Sequence, residues 1–290
     1  MSAGWDNPNV QPHFVPSGDL QIAVWEWPGV EPAIVFAHAT GFHGRCWDPI
    51  IRNLPGRRCV AVDLRGHGRS SKPAPPYHWR SFGEDVDAAM RALGIEQSVG
   101  VGHSMGGHSI VSAASQRPQN FAAMLLIDPT LFRPERYGQT PFDASFILKR
   151  RNRWSSPEEM FERFRSRPPF AAWDPEALRA YCEFALLPDG GSFVLACPPV
   201  IETDIYGHSN EPEASLYSEI PTLRQPVTVL RAGKQPDLGA STLARSPAAP
   251  DLASKFPHGR DLLLPDHDHY IPMTDPALVT RQISLLIEQL

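Results

Sequence analysis

The stretch that decides the fold is Val99-Gly100-Val101-Gly102-His103-Ser104-Met105-Gly106-Gly107. It begins with apolar, β-branched residues, and small or apolar residues with helical spacing follow it. This pattern predicts a strand, a sharp turn and a helix, with Ser104 at the apex of the turn. Glycines on both sides of the serine remove Cβ atoms that would clash in a tight turn. Because the start of a helix favours developing negative charge, this position suits a nucleophile.

The same glycines also allow a dinucleotide-binding interpretation. Gly100, Gly102 and Gly106 form the pattern G-x-G-x-x-x-G, and Asp128 follows about 20 residues later, as such a site requires. The spacing is one residue longer than in G-x-G-x-x-G. The rest of the chain supplies partners for a nucleophilic serine and nothing further for a nicotinamide. We therefore favour the nucleophile and expect no cofactor.

Composition indicates an ordinary globular protein and argues against several classes of function. Of the 290 residues, 42% are apolar and 20% are charged, with a net charge of −5. Nucleic acid is not an expected partner, because the basic residues form no long run. The sequence has neither a long apolar stretch nor a leader-like start, so we expect a cytoplasmic protein without membrane association. A monomer and a homodimer are equally compatible with the sequence.

The cysteines and the histidine-rich stretch near the end give no metal signature. The four cysteines lack close C-x-x-C pairing, which favours free thiols in small packing spaces; they are Cys46, Cys59, Cys182 and Cys197. His267-Asp268-His269 is a local group of possible ligands, but no other ligand has suitable spacing. We therefore expect no metal ion.

Apolar runs alternate with helical patterns as far as about residue 128, which is typical of a parallel sheet covered on both faces. Residues 1–18 are polar and proline-rich and predict an irregular arm, followed by an edge strand at 20–27. Further strands are predicted at 33–38, 58–63, 98–102, 121–127, 226–231 and 261–264. No buried strand is expected from about 131 to 218. We therefore predict a core domain of residues 1–130 and 219–290 around a helical cap of residues 131–218.

Four motifs in a fixed order carry a family resemblance. They are the turn His38–Gly44, the loop Asp63-Leu64-Arg65-Gly66-His67-Gly68-Arg69-Ser70, the turn Gly102–Gly106 and the segment His269–Pro276. Together they make the sequence resemble the α/β-hydrolase superfamily along nearly its whole length, in the branch with a serine nucleophile. The resemblance implies an α/β fold with a mostly parallel, doubly wound sheet and an inserted helical cap domain.

The resemblance also implies a base for the serine, whose hydroxyl is a poor nucleophile until its proton is removed. His269 is the candidate because the family's base follows the last strand and precedes the final helix. His267 is the nearby alternative. His103 and His108 flank the turn and are interpreted as structural. His38 is expected to hold its turn by hydrogen bonding.

The base needs a carboxylate that fixes its tautomer, and two residues compete for that role. Asp237 follows the predicted strand at 226–231, which is the usual place, but it lies one residue later than the typical spacing. Asp128 follows the preceding strand, from which a minority of family members take the acid. We favour Asp128 and keep Asp237 as the alternative.

The family resemblance also implies hydrogen-bond donors for the tetrahedral oxyanion. They are the backbone N–H of Met105, directly after the nucleophile, and the backbone N–H of Thr40 in the His38–Gly44 turn. The side-chain hydroxyl of Thr40 is a possible additional donor.

These roles imply hydrolysis of a carboxylic ester, thioester or lactone through an acyl-enzyme on Ser104. Carbon–carbon bond hydrolysis, acyl transfer and cofactor-free peroxidase chemistry use the same residues and remain open, as does a ligand receptor with vestigial turnover. The expected partner is a small, apolar, ester-like molecule. That expectation rests on the aromatic residues of the cap, which are Trp154, Phe161, Phe164, Phe170, Trp173, Tyr181 and Phe184. The basic cluster 149–153 is interpreted as a solvated face rather than an anion site.

Overall fold

The computed structural model describes residues 10–234 and 242–290. Its strands in chain order are β1 (His13–Ser17), β2 (Leu20–Trp27), β3 (Val30–Ala37), β4 (Arg57–Val62), β5 (Ser98–His103), β6 (Phe121–Ile127), β7 (Arg153–Trp154), β8 (Leu186–Asp189), β9 (Ser192–Leu195), β10 (Val227–Ala232) and β11 (Gly259–Leu264). Its α-helices are α1 (Asp48–Ile51), α2 (Trp79–Ala92), α3 (Met105–Gln116), α4 (Pro157–Phe164), α5 (Pro175–Phe184), α6 (Pro199–Gly207), α7 (Ile271–Thr274) and α8 (Pro276–Ile287).

Eight strands form one central sheet in the order β1-β2-β4-β3-β5-β6-β10-β11. β1 and β2 run antiparallel to their neighbours, whereas β4, β3, β5, β6, β10 and β11 are parallel to one another. Parallel strands place their carboxyl ends at one edge of the sheet, where ligands bind in open α/β folds. The predicted mostly parallel α/β sheet is confirmed.

Helices cover both faces of this sheet. Successive residues of a strand point to opposite faces, so neighbouring residues belong to different cores. On β3, Val35 and Ala37 belong to the core that includes residues of α2 and α3, while Ile34 and Phe36 belong to the core that includes residues of α1 and α8. All four side chains are fully buried. This explains why the inner strands read as continuous apolar runs.

The N-terminal part of the sheet differs from the prediction. Residues 13–17 form β1 rather than an irregular arm, and they pair with β2 from His13 opposite Val24 to Ser17 opposite Leu20. β1 is therefore the edge strand, and the prediction of an edge at residues 20–27 is wrong. The alternation that marks β1 is short and contains a proline, which an edge strand tolerates.

The segment between β6 and β10 also contains strands that the sequence did not predict. α4, α5 and α6 are accompanied by an antiparallel sheet in the order β7-β9-β8. β8 and β9 join through Gly190 and Gly191, both at positive φ, and this glycine pair was the available hairpin signal. The strands were missed because each has only two to four residues and most of these are partly exposed. The boundaries 131 and 218 stay a prediction.

Candidate active site

Ser104 lies at the turn between β5 and α3, at the carboxyl edge of the sheet. Its φ of 55° and ψ of −118° form a conformation that residues other than glycine rarely adopt. Its backbone N–H donates to the carbonyl of Ile127 on β6, at 3.0 Å. The strand before Ser104 and the helix after it hold this strained turn in place, and the side chain lines a cavity.

The glycines around Ser104 allow the start of α3 to pack closely against β3 and β5. A Cβ on Gly106 would lie 2.0 Å from the carbonyl oxygen of Ala37 on β3, and a Cβ on Gly102 would lie 2.3 Å from the carbonyl oxygen of Gly106. Only glycine therefore lets the start of α3 approach the sheet so closely. Because these contacts account for Gly102 and Gly106 without a pyrophosphate, the geometry gives no support to the dinucleotide interpretation.

His269 joins Ser104 to Asp128. Its Nε2 lies 3.0 Å from Ser104 Oγ, and its Nδ1 lies 2.6 Å from Asp128 Oδ2. The other oxygen of Asp128 accepts hydrogen bonds from the N–H of Ala232 at 3.1 Å and from the hydroxyl of Ser246 at 2.5 Å. The Asp128 side chain is fully buried. In this network, Nδ1–H of His269 donates to the carboxylate, which leaves Nε2 to accept the proton of Ser104.

The sequence also named Asp237 as an alternative acid and His267 as an alternative base. Asp237 falls outside the described residues. His267 Nε2 is 3.4 Å from an oxygen of Asp275 and does not contact Ser104. His103 donates from Nε2 to the carbonyl of His269 at 2.8 Å, so its contact is with the backbone of that residue.

The turn that holds Thr40 is fixed by the neighbouring loop. The N–H of Gly41 donates to Nε2 of His67 at 3.0 Å, and Nδ1 of His67 in turn donates to the carbonyl of Arg65. The N–H groups of Thr40 and Met105 donate to no residue in the part of the chain that the structure describes. Both groups are therefore available to a ligand beside Ser104. The Thr40 hydroxyl points to the sulfur of Met105, at 3.3 Å.

Histidines near the site are held neutral by burial. Burial lowers the pKa of His38 below its ordinary value, and it lowers the pKa of His67 and of His103 well below theirs. His38 Nδ1 donates to the carbonyl of Ala39, and its Nε2 accepts from the N–H of Leu64. His38 therefore holds its turn by hydrogen bonding, as predicted.

A cavity opens from Ser104 toward the segment between β6 and β10. Its inner part, about 40 Å³, is lined by Ser104 and His269, and its outer part measures about 340 Å³. Four of the aromatic residues singled out in the sequence line the outer part; these are Trp154, Phe164, Phe170 and Tyr181. Trp173 lines the inner part, whereas Phe161 is buried in the core around it.

Four arginines line the outer part of the cavity: Arg150, Arg151, Arg163 and Arg167. Arg150 also lines the inner part, together with the buried Glu202. The interpretation of cluster 149–153 as a solvated face is therefore incomplete, because two of its arginines border the cavity. Sequence spacing alone did not reveal this, since Arg163 and Arg167 lie ten and fourteen positions beyond the end of the cluster.

Thr130 is a further residue at the site that sequence reasoning did not single out. Its hydroxyl lies 3.2 Å from Ser104 Oγ, and its N–H donates to the carbonyl of Ser104 at 3.0 Å. The available signal was its place two positions after Asp128, at the end of a buried strand.

Among residues 10–234 and 242–290, no three His, Cys, Asp or Glu side chains lie close enough together to hold a metal ion. No described helix is long and apolar enough to cross a membrane.

A nucleophile turn, a histidine and a carboxylate at the carboxyl edge of this sheet define a class of protein. The sequence matches the Alpha/beta hydrolase family over residues 34–282, and the chain belongs to that family. The predicted superfamily is thereby confirmed, and the chain is an α/β-hydrolase enzyme.

Similar proteins include several named hydrolases. A 2-(acetamidomethylene)succinate hydrolase of Mesorhizobium japonicum is 26% identical over 268 residues, which is 90% of this chain and 89% of that protein. An esterase of Mycobacterium tuberculosis is 29% identical over 145 residues, or 47% of this chain and 45% of the esterase.

Solved structures agree on the fold. A crystal structure of E-2-(acetamidomethylene)succinate hydrolase matches with a TM-score of 0.72 at 21% identity, covering 96% of this chain and 99% of that one. The thioesterase domain from the curacin biosynthetic pathway matches with a TM-score of 0.73 at 19% identity, with the same coverage of both chains.

Proposed function

We propose that the protein is a serine hydrolase that cleaves a carboxylic ester, thioester or lactone through an acyl-enzyme on Ser104. The observation that carries this proposal is the continuous chain of hydrogen bonds from Ser104 through His269 to Asp128. The esterase among the relatives supports the same chemistry. Asp128 is the acid in this proposal.

In the first half of the reaction, Ser104 Oγ attacks the carbonyl carbon while its proton passes to Nε2 of His269. Asp128 stabilises the imidazolium that forms, because its buried carboxylate accepts a hydrogen bond from Nδ1. When the bond to the leaving group breaks, His269 returns the proton to the departing oxygen or sulfur. Water then attacks the acyl-enzyme with His269 again as base, which releases the acid and restores Ser104.

Negative charge develops on the carbonyl oxygen during both attacks. The N–H groups of Thr40 and Met105 are the proposed donors to that oxygen, and neither is engaged by another described residue. Donors that are already in place need no reorganisation as the charge forms, which lowers the barrier. The link between Gly41 and His67 supports this role, because it holds the turn that contains Thr40.

Hydrolysis of a short p-nitrophenyl ester tests the proposal, with the wild type measured beside Ser104→Ala, Asp128→Asn and Asp237→Asn. We expect Ser104→Ala and Asp128→Asn to lower kcat by about three orders of magnitude or more. Asp237→Asn is expected to keep most of the activity. Mass spectrometry of the quenched reaction should find the acyl group on the peptide that contains Ser104.

Each contrary result rejects a different part of the proposal. Retention of the rate by Ser104→Ala would reject the nucleophile, and a collapse in Asp237→Asn alone would reject Asp128 as the acid. Release of a single equivalent followed by a stall would favour a receptor with vestigial turnover. Transfer of the acyl group to an added alcohol faster than to water would favour an acyltransferase.

A further inference from the structure

The cavity beside Ser104 has an unusual charge for this chain. Among the described residues, four arginines and one carboxylate, that of Glu202, line its outer part, although the whole chain carries a net charge of −5. A concave site lined by one sign of charge raises the local concentration of ligands of the other sign. The excess positive charge is therefore concentrated at the route to the nucleophile.

Two of the four arginines are already paired. Arg151 donates to Glu159 through two nitrogens, and Arg150 donates from Nη1 to both oxygens of Glu202, at 2.5 and 2.7 Å. Arg163 and Arg167 form no ion pair with any carboxylate of the described residues. These two guanidiniums supply positive charge that the described protein does not neutralise.

Arg150 is the arginine that reaches the inner part of the cavity, which Ser104 also lines. Nη1 alone makes both contacts with Glu202. The other two nitrogens of the Arg150 guanidinium, Nε and Nη2, donate to no described residue. Glu202 is 3% exposed and so fixes the guanidinium from the protein side. Nε and Nη2 form the planar pair of donors that binds a carboxylate with two parallel hydrogen bonds.

Two tyrosines add neutral donors to this arrangement. Tyr206 and Tyr270 line the inner part of the cavity, and the hydroxyl of neither donates to another residue within the described ranges. Phe42 and Phe170 line both parts of the cavity and supply aromatic surface there. This lining suits a ligand with a short apolar portion and an anionic end.

We propose that the substrate is an ester or thioester whose acyl group carries a second, free carboxylate, and that Arg150 binds this carboxylate. The inference rests on the proposed function, because it assigns the reacting carbonyl to Ser104. Arg163 and Arg167 attract the anion to the cavity entrance, while Glu202 holds Arg150 in place. This proposal adds an anionic end to the small, apolar, ester-like substrate expected from the sequence.

Matched substrates test this inference. The mono-4-nitrophenyl esters of succinate and glutarate carry a free carboxylate, and 4-nitrophenyl butyrate is the neutral comparison. We expect the wild type to prefer an anionic ester in kcat/KM, and Arg150→Met to lower the ratio of anionic to neutral kcat/KM by about 10- to 100-fold. Arg150→Lys keeps the charge but loses the planar fork, so we expect an intermediate ratio.

Arg153→Met is the matched control, because Arg153 belongs to the same basic cluster but pairs with Asp189 and does not line the cavity. Its ratio should equal that of the wild type. A wild type that prefers the neutral ester would overturn the inference. So would an Arg150→Met variant that loses both activities equally, since that result indicates a structural role.

A binding measurement separates this inference from the proposed function. In Ser104→Ala, glutarate at about 20 mM should raise Tm by about 2 °C or more, and the rise should disappear in Ser104→Ala/Arg150→Met. If the wild type hydrolyses none of the esters, the proposed function fails, while this measurement still decides the carboxylate site. Equal stabilisation by inorganic phosphate would overturn the assignment to a carboxylate.

Discussion

Among the described residues, Ser104 Oγ has two hydrogen-bonding neighbours, and they have different consequences. In the proposed mechanism, His269 Nε2 at 3.0 Å removes the proton, whereas the hydroxyl of Thr130 at 3.2 Å has no base function at neutral pH. A hydroxyl beside the serine restricts the directions in which Oγ points. Thr130 therefore orients the nucleophile, and its own position is fixed by the hydrogen bond from its N–H to the carbonyl of Ser104.

Replacement of Thr130 by valine removes the hydroxyl at almost unchanged volume. We expect kcat for the p-nitrophenyl ester to fall by about threefold to tenfold while KM stays close to that of the wild type, because the lost contact orients Ser104 and does not bind substrate. Steady-state kinetics over a range of pH measures both constants.

Thr130→Ser retains the hydroxyl and is the control, with kcat expected near the wild-type value. A rise in KM with unchanged kcat in Thr130→Val would instead indicate that the hydroxyl contacts the substrate. Loss of both activity and folded protein in the two variants would indicate a packing role.

Individual residues of the site differed in how well the sequence predicted them. Ser104 and His269 were named from local motifs together with the family resemblance, and the structure places Ser104 Oγ and His269 Nε2 3.0 Å apart. The choice between Asp128 and Asp237 was not decided, because both follow strands whose ends are neighbours at one edge of the sheet. Arg150 and Thr130 become site residues only through contacts across long stretches of sequence.

At the scale of elements, the inner strands were predictable because they are buried on both sides and read as continuous apolar runs. β6 has the predicted bounds, Phe121–Ile127. β1 and the β8–β9 hairpin were missed, because short, partly exposed strands owe their pairing to neighbours and carry little periodicity of their own. The glycines of the Gly102–Gly106 turn indicate a close contact at the start of α3. They do not give the distance between α3 and β3.

That contact gives a prediction for Gly106. We expect Gly106→Ala to lower the free energy of unfolding by more than about 2 kcal/mol, because the new methyl group would overlap the carbonyl of Ala37 and force α3 away from the sheet. Urea unfolding followed by circular dichroism measures the change. Hydrolysis of the p-nitrophenyl ester should slow as well, since the start of α3 supports Ser104.

Gly207→Ala is the matched control for this experiment. Gly207 lies at the end of α6, and a Cβ there would meet no atom within 4 Å. Its stability should equal or slightly exceed that of the wild type. If Gly106→Ala is as stable as Gly207→Ala, the close approach of α3 to β3 is not a constraint on the fold.

At the scale of the whole molecule, several buried histidines make stability depend on pH. Burial lowers the pKa of His43 and of His108 from 6.5 to about 4, and that of His38, His67 and His103 also lies below the ordinary value. In the unfolded chain these groups bind protons near pH 6.5, while in the folded chain they resist protonation. Their stabilising effect is therefore complete above pH 6.5 and is lost as the pH falls toward 4.

His108 tests this dependence because its ring lies away from Ser104, donating to the carbonyl of Ala214 at 2.7 Å. We expect the free energy of unfolding of the wild type to fall between pH 7 and pH 4, and His108→Gln to reduce that fall by about 2 to 3 kcal/mol. Urea unfolding at a series of pH values gives the slope.

Ser109→Ala, in the same helix, changes a buried polar side chain that does not titrate in this range. It should shift the whole stability curve without altering its slope. An identical slope in His108→Gln and the wild type would contradict the expected proton linkage.

The order of the three proposed catalytic residues along the chain has a consequence for synthesis. Ser104 and Asp128 precede His269 by 165 and 141 residues. At about 5 to 20 residues per second, the ribosome reaches the base some 7 to 30 seconds after the acid. Until then, the nascent polypeptide contains Ser104 but not His269, which is the proposed base for it. With this assignment, the nascent chain has no hydrolase activity before His269 is in place, and activity in a translating extract would report that β11 and the loop after it have joined the sheet.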